Sequence, residues 1–172
     1  MLQIHPLSQN DLHAVSQIEI ASRRSPWRYQ QFETELTNSN SRPLVLLNTE
    51  TQVVIGYIIP WFIAGEIQIQ NIVVKKSHRQ KGLGRWLLNT AISMGLEAGC
   101  DRAILEVRES NSAAIKLYER YQFTTVGRRE NYYRDGENAL LMTAGPFTSS
   151  TERAIYREFV NKEAKELQDQ LQ

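Results

Sequence analysis

Arg79-Gln80-Lys81-Gly82-Leu83-Gly84-Arg85 is the stretch of this sequence whose chemistry is easiest to read. It follows a β-rich run and opens directly into a helical pattern. At a helix start the backbone N–H groups are unpaired and the dipole favours an anion. Gly82 and Gly84 let the backbone approach a phosphate closely, and Arg79, Lys81 and Arg85 surround them with positive charge. The stretch reads as an anion cradle, with a Gly-rich turn on a basic surface as its plain alternative. Two rival phosphate motifs fail on spacing. No G-x-x-x-x-G-K-[ST] loop occurs, and G-x-G-x-x-G breaks because its third glycine position holds Leu87.

The other candidates depend on the elements that carry them. Ser8, Asp11 and the apolar Leu12, Val15 and Ile18 predict a first helix starting near Ser8. Ser25-Pro26-Trp27 has the form of a second helix entry, with Phe32 and Leu36 spaced for one buried face. Residues 43–47 and 53–63 are β-rich runs joined by a polar loop, which predicts an antiparallel hairpin. In residues 66–74 the apolar positions shift from Ile67 and Ile69 to Ile72 and Val74. Strand side chains alternate with period two, so a β-bulge near Gln70-Asn71 is the economical explanation, and bulges are frequent beside active sites.

Leu87, Leu88, Ala91, Ile92 and Leu96 predict a central helix, and residues 103–107 a strand in which Glu106 interrupts a mostly apolar sheet. Asn111 is suited to cap a helix with Ala114, Leu117, Tyr118 and Tyr121 on one face. Residues 123–126 and 139–143 read as closing strands around an Asp135-Gly136 turn. Beyond Gly145-Pro146, a charged helical pattern carries Ile155, Phe159, Val160, Ala164, Leu167 and Leu171. The expected organisation is one mixed α/β domain over residues 1–146 and a helical extension over residues 147–172. The extension looks appended, and its removal is expected to leave the domain's chemistry nearly intact.

A chain of 172 residues suits one domain. A net charge of +1 gives no field that implies a nucleic-acid partner, and no apolar run approaches the ~18 residues of a membrane span. The first residues lack signal-peptide grammar, so a cytoplasmic protein is expected. Cys100 stands alone and His5, His13 and His78 lie apart, so neither a disulfide nor a metal site is expected.

The pattern R-x-x-G-x-G after a strand resembles the acetyl-CoA pyrophosphate motif of the GNAT superfamily of acetyltransferases. Ser25-Pro26-Trp27, Asn71-Ile72-Val73-Val74, Leu105-Glu106-Val107-Arg108, Ser110-Asn111, residues 114–119 and Asn131-Tyr132-Tyr133 extend the likeness to its ribosomal-protein-alanine N-acetyltransferases. The resemblance covers roughly residues 4–144 and implies a mostly antiparallel sheet, flanked by helices, that splays at the bulged strand. It implies acetyl-CoA as donor and, as acceptor, a protein N-terminal α-amine, an alanine of a ribosomal protein. By position it makes Glu106 the general base and Tyr118 the general acid. It assigns the donor to Ile72, Val73, Val74, Asn111 and the loop Arg79, Gln80, Lys81, Gly82, Leu83, Gly84 and Arg85.

Each residue also has a plainer reading. Glu106 can pair with Arg108 or Arg128, Tyr118 can be a core aromatic, and Asn111 can do no more than cap its helix. Trp27 and Tyr132 either line the acceptor cleft or pack the core. An enzyme acting on lysine or a small amine, and a non-catalytic acyl-CoA-binding module, remain the alternatives. The chain departs from the family's pattern at Gln122, where a glycine is usual, and in the extension.

Overall fold

A computed structural model describes residues 1–171; the Leu171 side chain and Gln172 lie outside the described residues. Seven strands form one sheet in the order β1-β2-β3-β4-β5-β7-β6. β1 (Leu2–Pro6), β2 (Leu44–Asn48), β3 (Val53–Ile63) and β4 (Glu66–Val74) pair antiparallel in succession. β4 and β5 (Arg102–Arg108) form the parallel pair, and β7 (Ala139–Ala144) and β6 (Thr124–Arg129) complete the sheet antiparallel. A parallel pair needs a crossover, which α3 (Leu83–Glu97) provides. One face of the sheet packs on α1 (Leu12–Ser22) and α2 (Tyr29–Glu35) through Leu12, Val15, Phe32, Val45, Tyr57 and Val73. The other packs on α3, α4 (Ser112–Arg120) and α5 (Ser150–Leu171).

The phase change in β4 is a bulge. Ile59 pairs with Asn71 and Pro60 with Ile69, which leaves Gln70 as the extra residue. Ile67, Ile69, Ile72 and Val74 therefore all face the α3 side, while Val73 turns to the α1 side. Pairing of β4 with β5 stops at the same point, running only from Glu66–Arg102 to Ile69–Leu105. Past it the strands part, leaving a splay between residues 71–74 and 106–108.

Three local expectations change. The mixed pattern of residues 2–6 conceals an edge strand, β1. A single 3-10 turn precedes α1, tied by the Ser8 hydroxyl donating to Asp11 Oδ2 at 2.6 Å. α2 begins at Tyr29 rather than at Pro26, because Gln31 Oε1 accepts the Arg28 N–H at 2.8 Å and Glu19 accepts the Trp27 N–H at 3.0 Å, holding residues 25–27 in a loop.

α4 ends as the family departure implies, with Gln122 left-handed at φ 62°. A β-carbon is disfavoured there, so Gln122→Gly is expected to stabilise the protein by about 0.5 to 1 kcal/mol. An unchanged or lower denaturation midpoint would contradict this account of the turn.

Candidate active site

The loop before α3 is built to expose its amides. Gly82 caps the helix in the left-handed region at φ 76°, and Gln80, two residues earlier, is also left-handed at φ 62°. Trp86 N–H donates the first helical bond, to Gly82 O at 3.0 Å, so the amides of residues 82–85 lie ahead of the helical ladder. Alternating backbone of this kind turns N–H groups into a concave, anion-favouring surface. Leu83, by contrast, drops its side chain into the core and contributes backbone alone.

Gly84 is the cleaner probe of this surface. Replacement of Gly82 would strain its backbone and press on Leu167, whereas a β-carbon at Gly84 meets only Leu117 at 3.7 Å and Val74 at 3.9 Å. Gly84→Val is therefore expected to fold and to lose acetyl-CoA affinity on the order of 10-fold or more, by keeping phosphate off the backbone. Unaltered binding by calorimetry would refute the pyrophosphate assignment.

The free edge of β4 faces the splay. Ile72 O accepts from Arg23 Nη2 at 2.9 Å and Val74 O from Arg79 Nε at 3.0 Å, both side chains rather than strand neighbours. N–H and C=O of one strand residue point the same way, so Ile72 and Val74 present their amides on this edge. Val73, pairing with Tyr57, turns its polar groups to β3 and its side chain into the α1-side core; it does not share the edge.

Glu106 is the first β5 residue past the last β4–β5 pair, at the base of the splay. Its carboxylate leaves the sheet opposite Leu105 and Val107, and binds Arg129 at 3.0 Å rather than Arg108 or Arg128. Arg108 instead holds Asp135 and Glu137 and covers the Tyr133 ring at 3.9 Å, while Arg128 pairs with Glu109. Tyr118 approaches from the other face, buried on α4 beside Phe123. Burial pushes its hydroxyl up to about 12, against the pull of the Arg23 cation. Tyr132, 45% exposed, lies beside Glu106, whose carboxylate raises the Tyr132 pKa. Trp27 is half-buried and packs on Phe32 at 5.3 Å between ring centres, a core role. Asn111 caps α4, its Oδ1 accepting the Ala114 N–H at 3.2 Å.

Arg85 departs from its expected place. It is buried against α5, donating to Glu163 Oε2 at 2.9 Å, Glu166 Oε2 at 3.0 Å and Gln170 Oε1 at 3.3 Å. Its side chain is thus directed at carboxylates, leaving Arg79 and Lys81 as the exposed cations of the loop. Nor is α5 a loose appendage. Tyr156, Val160 and Leu167 are buried, Glu163 with them, while Ile155, expected on the apolar stripe, is 62% exposed.

Sequence reading missed a buried network at the bulge. Glu19 of α1 accepts from Tyr57 Oη at 2.5 Å, Asn71 Nδ2 at 3.3 Å and the Trp27 amide; Arg23 also reaches Asn71 Oδ1 at 3.0 Å. Glu19 falls on the same helical stripe as Leu12 and Val15, which was the available signal. Among the described residues no group of three or more His, Cys, Asp or Glu is placed to hold a metal ion, and no helix is long and apolar enough to cross a membrane.

Residues 11–123, well over half the chain, match the family model described as Acetyltransferase (GNAT) family. The chain belongs to the GNAT acetyltransferase family. Its relatives include the [ribosomal protein bS18]-alanine N-acetyltransferase of Escherichia coli strain K12, 34% identical over 145 residues, 83% of this chain and 96% of that protein. The Haemophilus influenzae protein of the same name is 35% identical over 136 residues, 77% of this chain and 90% of that one. The crystal structure of the Escherichia coli ribosomal-protein-S18-alanine N-acetyltransferase superposes with a TM-score of 0.76 at 32% identity, covering 84% of this chain and 97% of that chain. α5, like β6 and β7, lies beyond the residues matched by the family model.

Proposed function

We propose that this GNAT enzyme transfers acetyl from acetyl-CoA to the N-terminal α-amine of a protein, an alanine of a ribosomal protein. The observation that carries the chemistry is the position of Glu106, one residue past the point where β4 leaves β5. The donor's pyrophosphate fits the amides of residues 82–85 with Arg79 and Lys81 beside them, and its pantetheine arm fits the open edge at Ile72 and Val74. The arm then runs as an added strand toward the base of the splay.

There Glu106 takes the proton that an incoming ammonium must lose, directly or through water, and Tyr118 donates one to the departing thiolate. The two side chains flank the splay from opposite faces, leaving the reacting carbon between them. The acceptor enters between the α1–α2 loop and the β6–β7 loop, which Arg24 and Asp135 bring to 3.9 Å across an open hollow of about 580 Å³. Tyr132, exposed beside Glu106, is the aromatic available to the acceptor, whereas Trp27 packs on Phe32 in the core. The names and identity levels of the relatives support the α-amine of a ribosomal protein as acceptor, which places the work in the cytoplasm.

Free thiol measured after mixing acetyl-CoA with the enzyme, with and without an Ala-starting peptide, tests turnover. Thiol released in step with the peptide supports transfer; binding of acetyl-CoA with no peptide-dependent release would leave an acyl-CoA-binding module.

A further inference from the structure

Arg23, the first residue after α1, projects toward the splay from the α1 side. Nη2 is fixed on the bulged strand by Asn71 Oδ1 at 3.0 Å and Ile72 O at 2.9 Å. Nε stands 3.7 Å from Glu19 Oε2, a carboxylate already engaged by Tyr57, Trp27 and Asn71. The side chain remains 30% exposed, and among the described residues Nη1 has no hydrogen-bond acceptor.

Its charge also reaches Tyr118 on α4 and Tyr133 in the β6–β7 connection, lowering the pKa of each against burial. The bonds to Asn71 and Ile72 set the guanidinium on the free edge of β4, at the splay that Tyr118 flanks from α4.

We propose that Arg23 is a positioning residue of acetyl transfer, anchored on the bulge so that its cation faces the Tyr118 hydroxyl across the reacting centre. The inference rests on the reading of Tyr118 as the acid. In that step the amine nitrogen bonds to the acetyl carbon, the carbon–sulfur bond breaks with its electron pair on sulfur, and the Tyr118 proton passes to sulfur. The amine's proton goes to Glu106, and the Tyr118 phenolate regains a proton from solvent. Between those events Tyr118 is a buried anion, and burying an unpaired charge is costly. A fixed cation already in place offsets that cost without reorganisation.

The test is a double-mutant cycle on kcat with an Ala-starting peptide, using Arg23→Gln, Tyr118→Phe and the pair, with Arg23→Lys as the charge-retaining variant. Arg23→Gln is expected to lower kcat by about 10- to 100-fold. Acetyl-CoA affinity by calorimetry is expected to hold within about 3-fold in Arg23→Gln, because the phosphate loop is untouched and the β4 edge loses only the Arg23 bond to Ile72 O while its outward N–H groups remain. Arg23→Lys is expected to recover most of the rate. In the Tyr118→Phe background, Arg23→Gln is expected to cost less than about 3-fold, since no phenolate forms. An equal loss in both backgrounds, or a Lys variant as slow as the Gln variant, would overturn the proposal and leave Arg23 as a strand tie. A Tyr118→Phe variant with the rate of the unmodified enzyme would instead remove Tyr118 as acid, and the reading beneath the proposal with it.

Discussion

Glu106→Gln and Tyr118→Phe are each expected to lower kcat by about 10²- to 10⁴-fold on an Ala-starting peptide, the span of general acid or base catalysis. Gln keeps the size of Glu106 and its contact distance to Arg129, and Phe keeps the ring that packs on Phe123. Acetyl-CoA binding is therefore expected to persist in both. Their pH profiles separate the two roles. An α-amine has a reference pKa near 7.7 to 8.0, so above that range solvent supplies the deprotonation that Glu106 otherwise performs, and Glu106→Gln is expected to recover. Tyr118 lies near 12, pushed up by burial, so it stays protonated through any practical assay range. Tyr118→Phe is expected to show no such recovery, because its defect is in thiolate departure. Initial rates from about pH 6 to 9, roughly three units that span the α-amine range, decide the matter; near-normal rates in both variants would remove the pair from the mechanism.

Glu163→Ala has the largest expected effect on stability. Glu163 is buried and engages Arg85 at 2.9 Å and Arg120 at 2.6 Å, with Glu166 completing the cluster. Removing one member of a buried pair leaves an uncompensated charge, at a cost of about 3 to 5 kcal/mol. Arg85 retains Glu166 and Arg120 is half exposed, so the lower end, about 3 kcal/mol, is expected. The same reasoning revises the expectation for removal of α5. Truncation would uncover the core against which Tyr156, Val160 and Leu167 pack and strand Arg85 next to the phosphate loop. A denaturation midpoint unchanged in Glu163→Ala would show that the cluster is structurally idle.

The parts of this molecule that sequence reveals are those governed by local rules. Period-two alternation exposes the bulge because one inserted residue, Gln70, reverses every later side chain. The loop from Arg79 to Arg85 is legible because glycine and position before a helix have direct backbone meaning. The usual glycine ahead of Phe123 likewise marks Gln122, and φ is indeed positive there. What escapes are partnerships made across the fold. Arg85 belongs by spacing to the loop, yet its guanidinium is held by Glu163, 78 residues away. Arg23 resembles any solvent-facing cation after a helix until Asn71 and Ile72 arrive 48 and 49 residues later. Residues 2–6 form a strand through the ladder that β2 offers, a tertiary effect that overrides weak local preference. Ile155 and Tyr156 exchange roles because helix rotation is set by docking on α3, which composition does not encode.

The central claim is the choice of amine, and its direct measurement is the position of the acetyl group. A peptide that begins with a free Ala and contains an internal Lys, with a second copy blocked at its N-terminus, is incubated at neutral pH with enzyme and acetyl-CoA. Fragmentation mass spectrometry then locates the added acetyl. Lysine, with a reference pKa near 10.4, is almost wholly protonated at neutral pH, so the account predicts acetylation of the Ala α-amine and little product from the blocked peptide. Acetyl on the internal Lys, with the blocked peptide used as well as the free one or better, would contradict it.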